Sequence, residues 1–295
     1  MTRHSSNQLL RMSLPQPFLH FLTGSMSEGA AGNPTGAMME AAFAHHQLPW
    51  RYINMEVPAK DLADAVRGAK AMGFRGFNCS IPHKVSVIPH LDGLGDSAEI
   101  MRAVNCVVAR DGQFIGENTD GKGFLRSLQT VLSTADKHLV ILGAGGAARA
   151  IAVELALAGA RHLTIVNRDH TRGADLAELI RTRTSANAEH VPWNHSYPIP
   201  SSAAALINAT SVGLYEPHAL PDIQLDSLRK DLVVADVVFN PVNTRLLAEA
   251  AQRECTTLDG LGMLVNQGIT AIQYWTGIDP DPAVMRAALE KAMGV

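Results

Sequence analysis

The chain has 295 residues, a formal net charge of −3 and 18% charged residues, which is typical of a folded globular protein long enough for two domains. It contains no run of basic residues, which argues against nucleic acid as a partner. Its most apolar long stretch, residues 141–160, contains Arg149 and Glu154, which argues against a membrane-spanning helix.

The N-terminal region and the cysteines indicate the compartment. Pro15 and Pro17 interrupt the apolar stretch near the N-terminus, so we predict no signal peptide and a cytoplasmic location. The three cysteines, Cys79, Cys106 and Cys255, are odd in number and far apart, which is typical of buried thiols in a reducing compartment. The twelve histidines form no pair at metal-ligand spacing, so we predict no metal site.

Up to about residue 120, short apolar runs alternate with amphipathic runs, which is the α/β pattern. The predicted strands are HFLTG (20–24), RYINMEV (51–57), GFNCSI (76–81) and AVNCVVA (103–109), and the predicted helices are AMMEAAFAHH (37–46) and KDLADAVRGAKAM (60–72). We predict that the first helix begins with Asn33 as its N-cap and Pro34 as its first residue. Met38, Met39, Ala42 and Phe43 would then face the core.

The second half repeats the alternation around a glycine-rich turn. The predicted strands are KHLVIL (137–142), HLTIVN (162–167), ALIN (205–208) and LVVADVV (232–238), with a helix after each of the first two. Gly159 ends the first of these helices. We predict one α/β domain over residues 1–120, a dinucleotide-binding domain over 121–257, and C-terminal helices over 258–295 that complete the first domain.

The turn GAGGAA follows a strand and precedes a helix, which is the setting of the Rossmann dinucleotide fingerprint. Gly143 allows the tight turn and Gly145 allows backbone N–H groups to approach a pyrophosphate, while Ala148 replaces the third glycine. Other tight strand–helix turns also need glycines, but the following strand completes the unit. We therefore predict that Gly143, Ala144, Gly145, Gly146 and Ala147 bind a dinucleotide.

The end of the next strand indicates which dinucleotide binds. An NAD site usually has an acidic residue there, whereas this chain has Asn167 and Arg168, with Arg172 one turn later. Two arginines suit a 2′-phosphate. Asp169 could hold a ribose hydroxyl, or it could cap the helix that follows. We favour NADP(H), with NAD(H) as the alternative.

Two polar residues in the first half suit acid–base chemistry. Lys84 follows a strand and a proline in SIPHKV, and a lysine at the end of a strand can act as an acid or base if its surroundings lower its pKa. Asp120 lies in GENTDGKGF between polar residues and glycines, a composition that by itself indicates a turn.

These motifs together resemble the shikimate dehydrogenase family. The matching stretches, in the family's order, are NCSIPHK (78–84), RAVNC (102–106), NTDGKGF (118–124), GAGGAAR (143–149), NRD (167–169), NATSVG (208–213) and DGLGMLVNQ (259–267). The resemblance implies an N-terminal substrate domain and a Rossmann-type domain, with the active site in the cleft between them. It implies reversible nicotinamide-dependent reduction of 3-dehydroshikimate to shikimate, in aromatic amino acid biosynthesis.

The resemblance also assigns residues. Lys84 would be the catalytic lysine and Asp120 its partner, so that Lys84 donates a proton to the alkoxide while Asp120 orients it. The other residues that match family positions are Asn33, Thr35, Asn78, Ser80, Asn105, Thr119 and Gln267 for the substrate, and Thr210, Ser211 and Gly260 for the cofactor. Amide side chains suit a polyol because they offer both donors and an acceptor.

Five departures set this chain apart from the family pattern. The serines that hold the substrate carboxylate, Ser-x-Ser-Pro, become Ala31-Gly32-Asn33-Pro34, and a substrate-side tyrosine becomes Phe239; Arg102, Cys106 and Gly268 replace Gly, Thr and Ala. The carboxylate donors would have to be Asn33 and Thr35, or Ser25 and Ser27. The chain is thus interpreted as a divergent member.

Several alternatives stay open. Quinate or an aminoshikimate could replace shikimate, and a folate derivative could bind the same architecture, although the NTD and DGxxMLVxQ matches argue against it. A catalytically silent nucleotide-binding regulator is the alternative of another class, and retention of both Lys84 and Asp120 argues against it. We expect a monomer or homodimer with a small-molecule substrate, without a nucleic acid or membrane partner.

Overall fold

The computed structural model describes residues 20–295 and contains two six-stranded sheets. The residues on which the signal-peptide prediction depends, Pro15 and Pro17, lie outside this range. Among residues 20–295, none of the helices combines the length and apolarity needed to cross a bilayer.

The first sheet is mixed and lies in the N-terminal half. Its strands are β1 (Phe21–Ser27), β2 (Trp50–Glu56), β3 (Gly76–Cys79), β4 (Gly93–Leu94), β5 (Cys106–Arg110) and β6 (Gln113–Glu117), in the order β2-β1-β3-β5-β6-β4. β1 pairs in parallel with both β2 and β3, whereas β5 is antiparallel to β3 and β6. The parallel strands therefore end at the same edge of the sheet.

The second sheet is parallel throughout. Its strands are β7 (His138–Leu142), β8 (His162–Asn167), β9 (Asn187–Pro192), β10 (Ala203–Asn208), β11 (Val233–Asp236) and β12 (Thr256–Leu258), in the order β12-β11-β10-β7-β8-β9. The strand order reverses between β7 and β10, and ligands of such sheets bind beyond the carboxyl ends of strands at that point.

Ten helices cover the sheets within the described residues. They are α1 (Thr35–His45), α2 (Leu62–Ala71), α3 (His83–Ser86), α4 (Asp96–Met101), α5 (Thr119–Leu128), α6 (Gly146–Leu157), α7 (His170–Arg183), α8 (Arg245–Gln252), α9 (Gly260–Thr276) and α10 (Pro282–Met293). α9 and α10 return to the first sheet, where Trp275 donates its indole N–H to the Val107 carbonyl at 3.0 Å.

Helix α5 lies between the two halves and explains two glycines of the NTDGKGF motif. A Cβ at Gly121 would lie 2.3 Å from the Ala150 carbonyl oxygen of α6, and one at Gly123 would lie 2.5 Å from the Gln267 nitrogen of α9. Only glycine allows this close packing. The predicted domain boundary at residues 120 and 121 falls within α5, so that boundary stays a prediction.

The structure adds strands that the sequence pattern did not predict and shifts one helix start. β4, β6, β9 and β12 were absent from the predicted set, and β4, β9 and β12 are edge strands. The first helix begins at Thr35 rather than at Pro34, so the prediction of Asn33 as its N-cap was wrong by one residue. The Asn33 side chain nonetheless accepts a hydrogen bond from the Thr35 N–H at 3.0 Å. The predicted inward face of α1 is buried.

Arg102, which replaces a family glycine, ends α4 in the left-handed region with φ of 53°. A side chain in that region strains the backbone, whereas glycine does not. The ion pair of Arg102 with Glu99 is exposed on both sides and contributes little. We therefore expect Arg102→Gly to raise the free energy of unfolding by about 0.5–1 kcal/mol in urea denaturation.

Arg102→Ala is the control for this prediction, because it removes the same ion pair and keeps the strained conformation. It is expected to give no gain in stability. Equal stabilisation by both variants would mean that the arginine side chain, and not the backbone conformation, is unfavourable.

Candidate active site

A cavity of about 470 Å³ contains the Lys84 and Asp120 side chains, and residues of both N-terminal and C-terminal segments line it. Lys84 Nζ donates to Asp120 Oδ2 at 2.7 Å. Lys84 lies in α3, and the buried His83 ring fixes that helix by donating from Nε2 to the Val57 carbonyl at 2.7 Å. The structure thus brings together two residues that are 36 positions apart.

The second oxygen of Asp120 is held by an amide. Asn105 Nδ2 donates to Asp120 Oδ1 at 2.8 Å, and Asn105 Oδ1 accepts from the Thr119 backbone N–H at 2.6 Å. Asn118 caps α5, because its side chain accepts from the Asp120 and Gly121 N–H groups. Asp120 therefore has a fixed orientation, with one oxygen directed at Lys84.

A second amide on the cavity wall is fixed in the same way. Asn78 Oδ1 accepts from the Tyr52 hydroxyl at 2.9 Å, and Asn78 Nδ2 donates to the Asn105 carbonyl at 3.1 Å. Thr119 Oγ1 donates to Gln267 Oε1 at 3.3 Å. Asn78, Asn105 and Gln267 line the cavity, whereas Thr119 is fully buried behind them.

The pKa of Lys84 is raised above its ordinary value, chiefly by the charge of Asp120, against the opposing effect of burial. An isolated lysine would need a lowered pKa to act as an acid or base at neutral pH. The pKa of Lys84 is not lowered. Asp120 is the reason, since an adjacent carboxylate stabilises the ammonium form. Lys84 is therefore a charged proton donor at neutral pH.

This shift gives a pH prediction. Ketone reduction needs protonated Lys84, and a raised pKa keeps the lysine protonated until the pH exceeds that raised value. We expect kcat/KM for reduction to fall on the alkaline side, above the raised pKa of Lys84. Asp120→Asn removes the largest cause of the shift, so the alkaline fall should move to lower pH. The measurement is the pH profile of kcat/KM for both proteins.

An unchanged alkaline fall in Asp120→Asn would contradict the assignment of that ionisation to Lys84. The Asn105→Ala variant is a useful comparison, because it disturbs Asp120 without removing its charge. It should lower the rate while moving the alkaline fall less than Asp120→Asn does.

The far end of the cavity is the loop between β1 and α1. Asn33, Thr35 and Ser27 line it, as does Ser80 nearby. Ser25 does not, because it is fully buried and donates to Asn54 Oδ1 at 3.1 Å. The suggestion that Ser25 supplies a substrate donor was therefore wrong.

Sequence reasoning missed several residues of this cavity. Five of them are Glu28, Met38, Ile81, Leu264 and Leu289. The others belong to the loop between β1 and α1 and are Gly29, Gly32 and Pro34. Leu264 and Leu289 come from α9 and α10, which reach the cavity through tertiary packing. Phe239, named above as a replacement for tyrosine, also lines it and contributes an apolar face.

A second cavity, of about 560 Å³, lies beyond the carboxyl ends of β7, β8 and β10. Its lining residues include Gly143, Ala144, Gly145, Asn167, Arg168, Thr210 and Ser211, all predicted, and Trp193, Asn194, Leu220 and Asp222, which were not. Gly143 has φ of 104°, as its tight turn requires. Apart from the adjoining backbone, none of residues 20–295 places an atom within 4 Å of a Cβ built at Gly145 or Gly146.

This open face at the start of α6 fits a pyrophosphate, because N–H groups there are accessible to an anion. Arg168 lines the cavity and suits a 2′-phosphate, whereas Arg172 lies outside the lining and pairs with Asp169 at 3.6 Å. Asp169 caps α7 by accepting from the Arg172 N–H, so its carboxylate is engaged. The residues present therefore fit NADP(H).

Besides Arg172, three predicted cofactor residues lie outside the lining of this cavity. Gly146 and Ala147 form the first turn of α6, and Gly260 begins α9, where a Cβ would lie 2.4 Å from the Val238 carbonyl oxygen. Gly260 thus serves close packing in this structure. Contact of these three residues with a cofactor stays a prediction.

A buried carboxylate organises the loop that carries Thr210 and Ser211. Asp236 accepts from Asn208 Nδ2 at 2.9 Å, from Thr244 Oγ1 at 2.7 Å and from the Val238 N–H at 3.0 Å. Asn208 Oδ1 in turn accepts from the Thr210 hydroxyl at 2.7 Å. Burial raises the pKa of Asp236, and its three donors oppose that shift.

The cysteines and the potential metal ligands indicate no further chemistry within residues 20–295. Cys79, Cys106 and Cys255 are buried free thiols, as predicted, and burial raises the pKa of Cys79 to about 12. Within residues 20–295, no group of three or more potential ligands could hold a metal ion.

Comparisons with known proteins agree with this geometry. The shikimate dehydrogenase substrate binding domain matches residues 34–107, the shikimate/quinate 5-dehydrogenase domain matches residues 126–215, and the shikimate 5′-dehydrogenase C-terminal domain matches residues 260–290. The NADP(+) shikimate dehydrogenase of Shouchella clausii is 38% identical over 87% of this chain and 95% of its own length.

Two solved structures are also similar. The ligand-free 5-ketofructose reductase of Gluconobacter sp. strain CHM43 is 56% identical, with a TM-score of 0.92 over 93% of this chain and 99% of that one. The shikimate 5-dehydrogenase of Listeria monocytogenes, solved with shikimate and NAD, is 34% identical, with a TM-score of 0.86 over 92% of this chain and 96% of that one.

A Rossmann-type domain and a substrate-binding domain, together with curated NADP-dependent relatives over most of the chain, identify an NADP-dependent oxidoreductase. The chain belongs to the shikimate dehydrogenase family. The predicted family, fold class, enzyme class and preference for NADP(H) are thereby confirmed, and the curated relatives support the shikimate dehydrogenase-type function.

Proposed function

We propose that this enzyme uses NADPH to reduce a ketone of a small polyhydroxylated substrate, with Lys84 as the proton donor. The observation that carries the proposal is the Lys84–Asp120 pair at 2.7 Å in a cavity lined by three fixed amides. NADPH, when bound, supplies the hydride to the carbonyl carbon. Lys84 donates a proton to the carbonyl oxygen, which completes the alcohol.

The chain's own residues prepare this transfer. The Lys84 ammonium stabilises the negative charge that develops on oxygen, and Asp120 keeps the ammonium in place. Because 37% of the Lys84 side chain is exposed, the lysine can regain its proton from water after the transfer. Asn78, Asn105 and Gln267 bind hydroxyl groups, since each amide offers donors and an acceptor.

We propose 5-ketofructose, a keto sugar without a carboxylate, as the first substrate. The relative with 56% identity is a reductase of this compound. The loss of both serines at Ala31 and Asn33 supports a substrate that has no carboxylate to bind. The hydroxyls of such a sugar fit the amides of the cavity wall.

Reversible reduction of 3-dehydroshikimate is the second candidate. It is favoured by curated relatives that are NADP(+) shikimate dehydrogenases, among them the Shouchella clausii enzyme at 38% identity. The same Lys84 chemistry applies to its ring ketone. Quinate and aminoshikimate share the six-membered carbon ring of shikimate, so they are variants of this second candidate.

The test is a panel of substrates followed by nicotinamide absorbance. 5-Ketofructose and 3-dehydroshikimate are each offered with NADPH and with NADH, and quinate and shikimate with the oxidised cofactors. We expect 5-ketofructose with NADPH to give the highest kcat/KM. A higher value for 3-dehydroshikimate would select the second candidate, and absence of turnover with every pair would contradict the proposed reaction.

We also propose a cytoplasmic enzyme that is a monomer or homodimer. The three buried free thiols support a reducing compartment. Light scattering coupled to size-exclusion chromatography measures the oligomeric state, and a mass above that of a dimer would contradict it.

A further inference from the structure

The loop between β1 and α1 binds a carboxylate of the protein itself. Glu56, the last residue of β2, accepts the Gly29 N–H on Oε1 at 2.7 Å and the Ala30 N–H on Oε2 at 2.8 Å. Gly29 adopts the left-handed conformation with φ of 75°, and the two successive N–H groups then point to one side. Successive N–H groups of this kind form an anion site, and here Glu56 fills it.

A second carboxylate lies in the wall of the substrate cavity beside this loop. Glu28 lines the cavity, and its Oε1 accepts the Ala59 N–H at 2.9 Å. Glu28 is therefore tied to the segment after β2 while the side chain remains exposed to the cavity. A carboxylate in this position can accept hydrogen bonds from substrate hydroxyls.

The charges that line the cavity favour an uncharged substrate. Within residues 20–295, the charged side chains of the lining are Glu28, Lys84 and Asp120. Lys84 is paired with Asp120, so Glu28 leaves an excess of one negative charge. A substrate carboxylate at the loop end would meet Glu28, with the neighbouring N–H groups already bound to Glu56.

We propose that Glu28 and Glu56 are specificity-determining residues that exclude anionic substrates from this cavity and select uncharged polyols. Glu56, just outside the cavity lining, occupies two loop N–H groups that would otherwise be open to an anion, and Glu28 repels an anion while it accepts a substrate hydroxyl. This role rests on the proposed function, because it requires that substrate binds in the Lys84 cavity.

The test compares shikimate with its primary amide, which has the same ring and nearly the same shape but no charge. Dissociation constants are measured by calorimetry with saturating NADP⁺ for wild type, Glu28→Gln and Glu56→Gln. We expect wild type to bind the amide about tenfold more tightly than the acid. Each variant should reduce this ratio at least threefold, because Glu28→Gln removes a negative charge from the cavity lining and Glu56→Gln removes one from the loop beside it.

Asp61→Asn is the matched control, since Asp61 is exposed and, unlike Glu28 and Glu56, neither lines the cavity nor accepts a hydrogen bond from the loop. The ratio of acid to amide dissociation constants in Asp61→Asn should equal that of wild type. Glutamine at position 28 keeps an acceptor oxygen for the Ala59 N–H, and glutamine at position 56 keeps one for only one of the two loop N–H groups. Thermal unfolding checks that each variant is folded. Added salt should lower the wild-type ratio.

Equal or tighter binding of the acid by wild type would overturn the inference, and so would ratios that stay unchanged in folded Glu28→Gln and Glu56→Gln. These results are independent of turnover. If 5-ketofructose is not reduced but the ratios change as expected, only the proposed substrate fails. If 5-ketofructose is reduced and the ratios do not change, only the role of Glu28 and Glu56 fails.

Discussion

Replacing Lys84 with alanine is expected to lower kcat for ketone reduction by roughly a thousandfold. The variant loses both the proton donor and the positive charge next to the developing alkoxide. The affinity for NADPH should stay close to that of wild type, because Lys84 does not line the cofactor cavity. Steady-state rates and fluorescence titration with NADPH measure the two effects separately.

Lys70 provides a matched control for this prediction. Lys70 Nζ also pairs with a carboxylate, Asp92, at 2.7 Å, with a similar exposure, but it lies outside the substrate cavity. Lys70→Ala should keep the wild-type kcat. A similar loss in both variants would show that the effect comes from general destabilisation, and wild-type activity in Lys84→Ala would exclude Lys84 as the proton donor.

Adding a methyl group at Gly123 should strongly destabilise the packing of α5 on α9. The new Cβ would lie 2.5 Å from the Gln267 nitrogen and 2.7 Å from the Met263 carbonyl oxygen, both in the backbone of α9. A backbone cannot move aside as a flexible side chain can, so α5 and α9 must separate. We expect Gly123→Ala to lower the free energy of unfolding by about 2–3 kcal/mol in urea denaturation.

The control is Gly68→Ala in α2. The nearest atom to a Cβ at Gly68 is the Met72 terminal methyl at 3.9 Å, so the methyl group fits. Alanine is a better helix former, and this variant should gain up to about 1 kcal/mol. Stability of Gly123→Ala equal to wild type would contradict the close packing of α5 on α9.

Local sequence patterns predicted the second sheet well, because its central strands are buried on both faces. The predicted strand HLTIVN coincides with β8, and the GAGGA turn connects β7 to α6 as expected. The edge strand β9 was missed because Asn187–Pro192 is polar, with several exposed side chains. Such a strand forms by pairing with β8, and its own sequence does not indicate it.

In the active site too, some features follow from local sequence and others depend on tertiary contacts. The resemblance of NCSIPHK and NTDGKGF to the family's motifs implied that Lys84 and Asp120 form a catalytic pair, and the structure places the two side chains in contact. The Glu56 contact with the loop could not be predicted, because it depends on the register that sets Glu56 opposite Ser27. A shift of that register would direct the carboxylate elsewhere.

The lost serines were visible in the sequence, but what replaces them was not. Asn33 and Thr35 both line the cavity, and the Thr35 N–H donates to Asn33 Oδ1, which engages the acceptor of that amide and not its Nδ2 donor. Glu28 appeared as one more polar residue of a glycine-rich loop. Glu28 lines the cavity because it directly follows Ser27, the last residue of β1, where the loop to α1 begins.

The most direct test of the account is a crystal structure of the enzyme with NADP⁺ and the unreacted ketone, 5-ketofructose. We expect a carbonyl oxygen at hydrogen-bond distance, about 3 Å, from Lys84 Nζ, with the nicotinamide ring facing the same carbonyl carbon. Sugar hydroxyls should contact Asn78 and Asn105. A ketone bound away from Lys84, with its oxygen held by other groups, would contradict the proposed reaction.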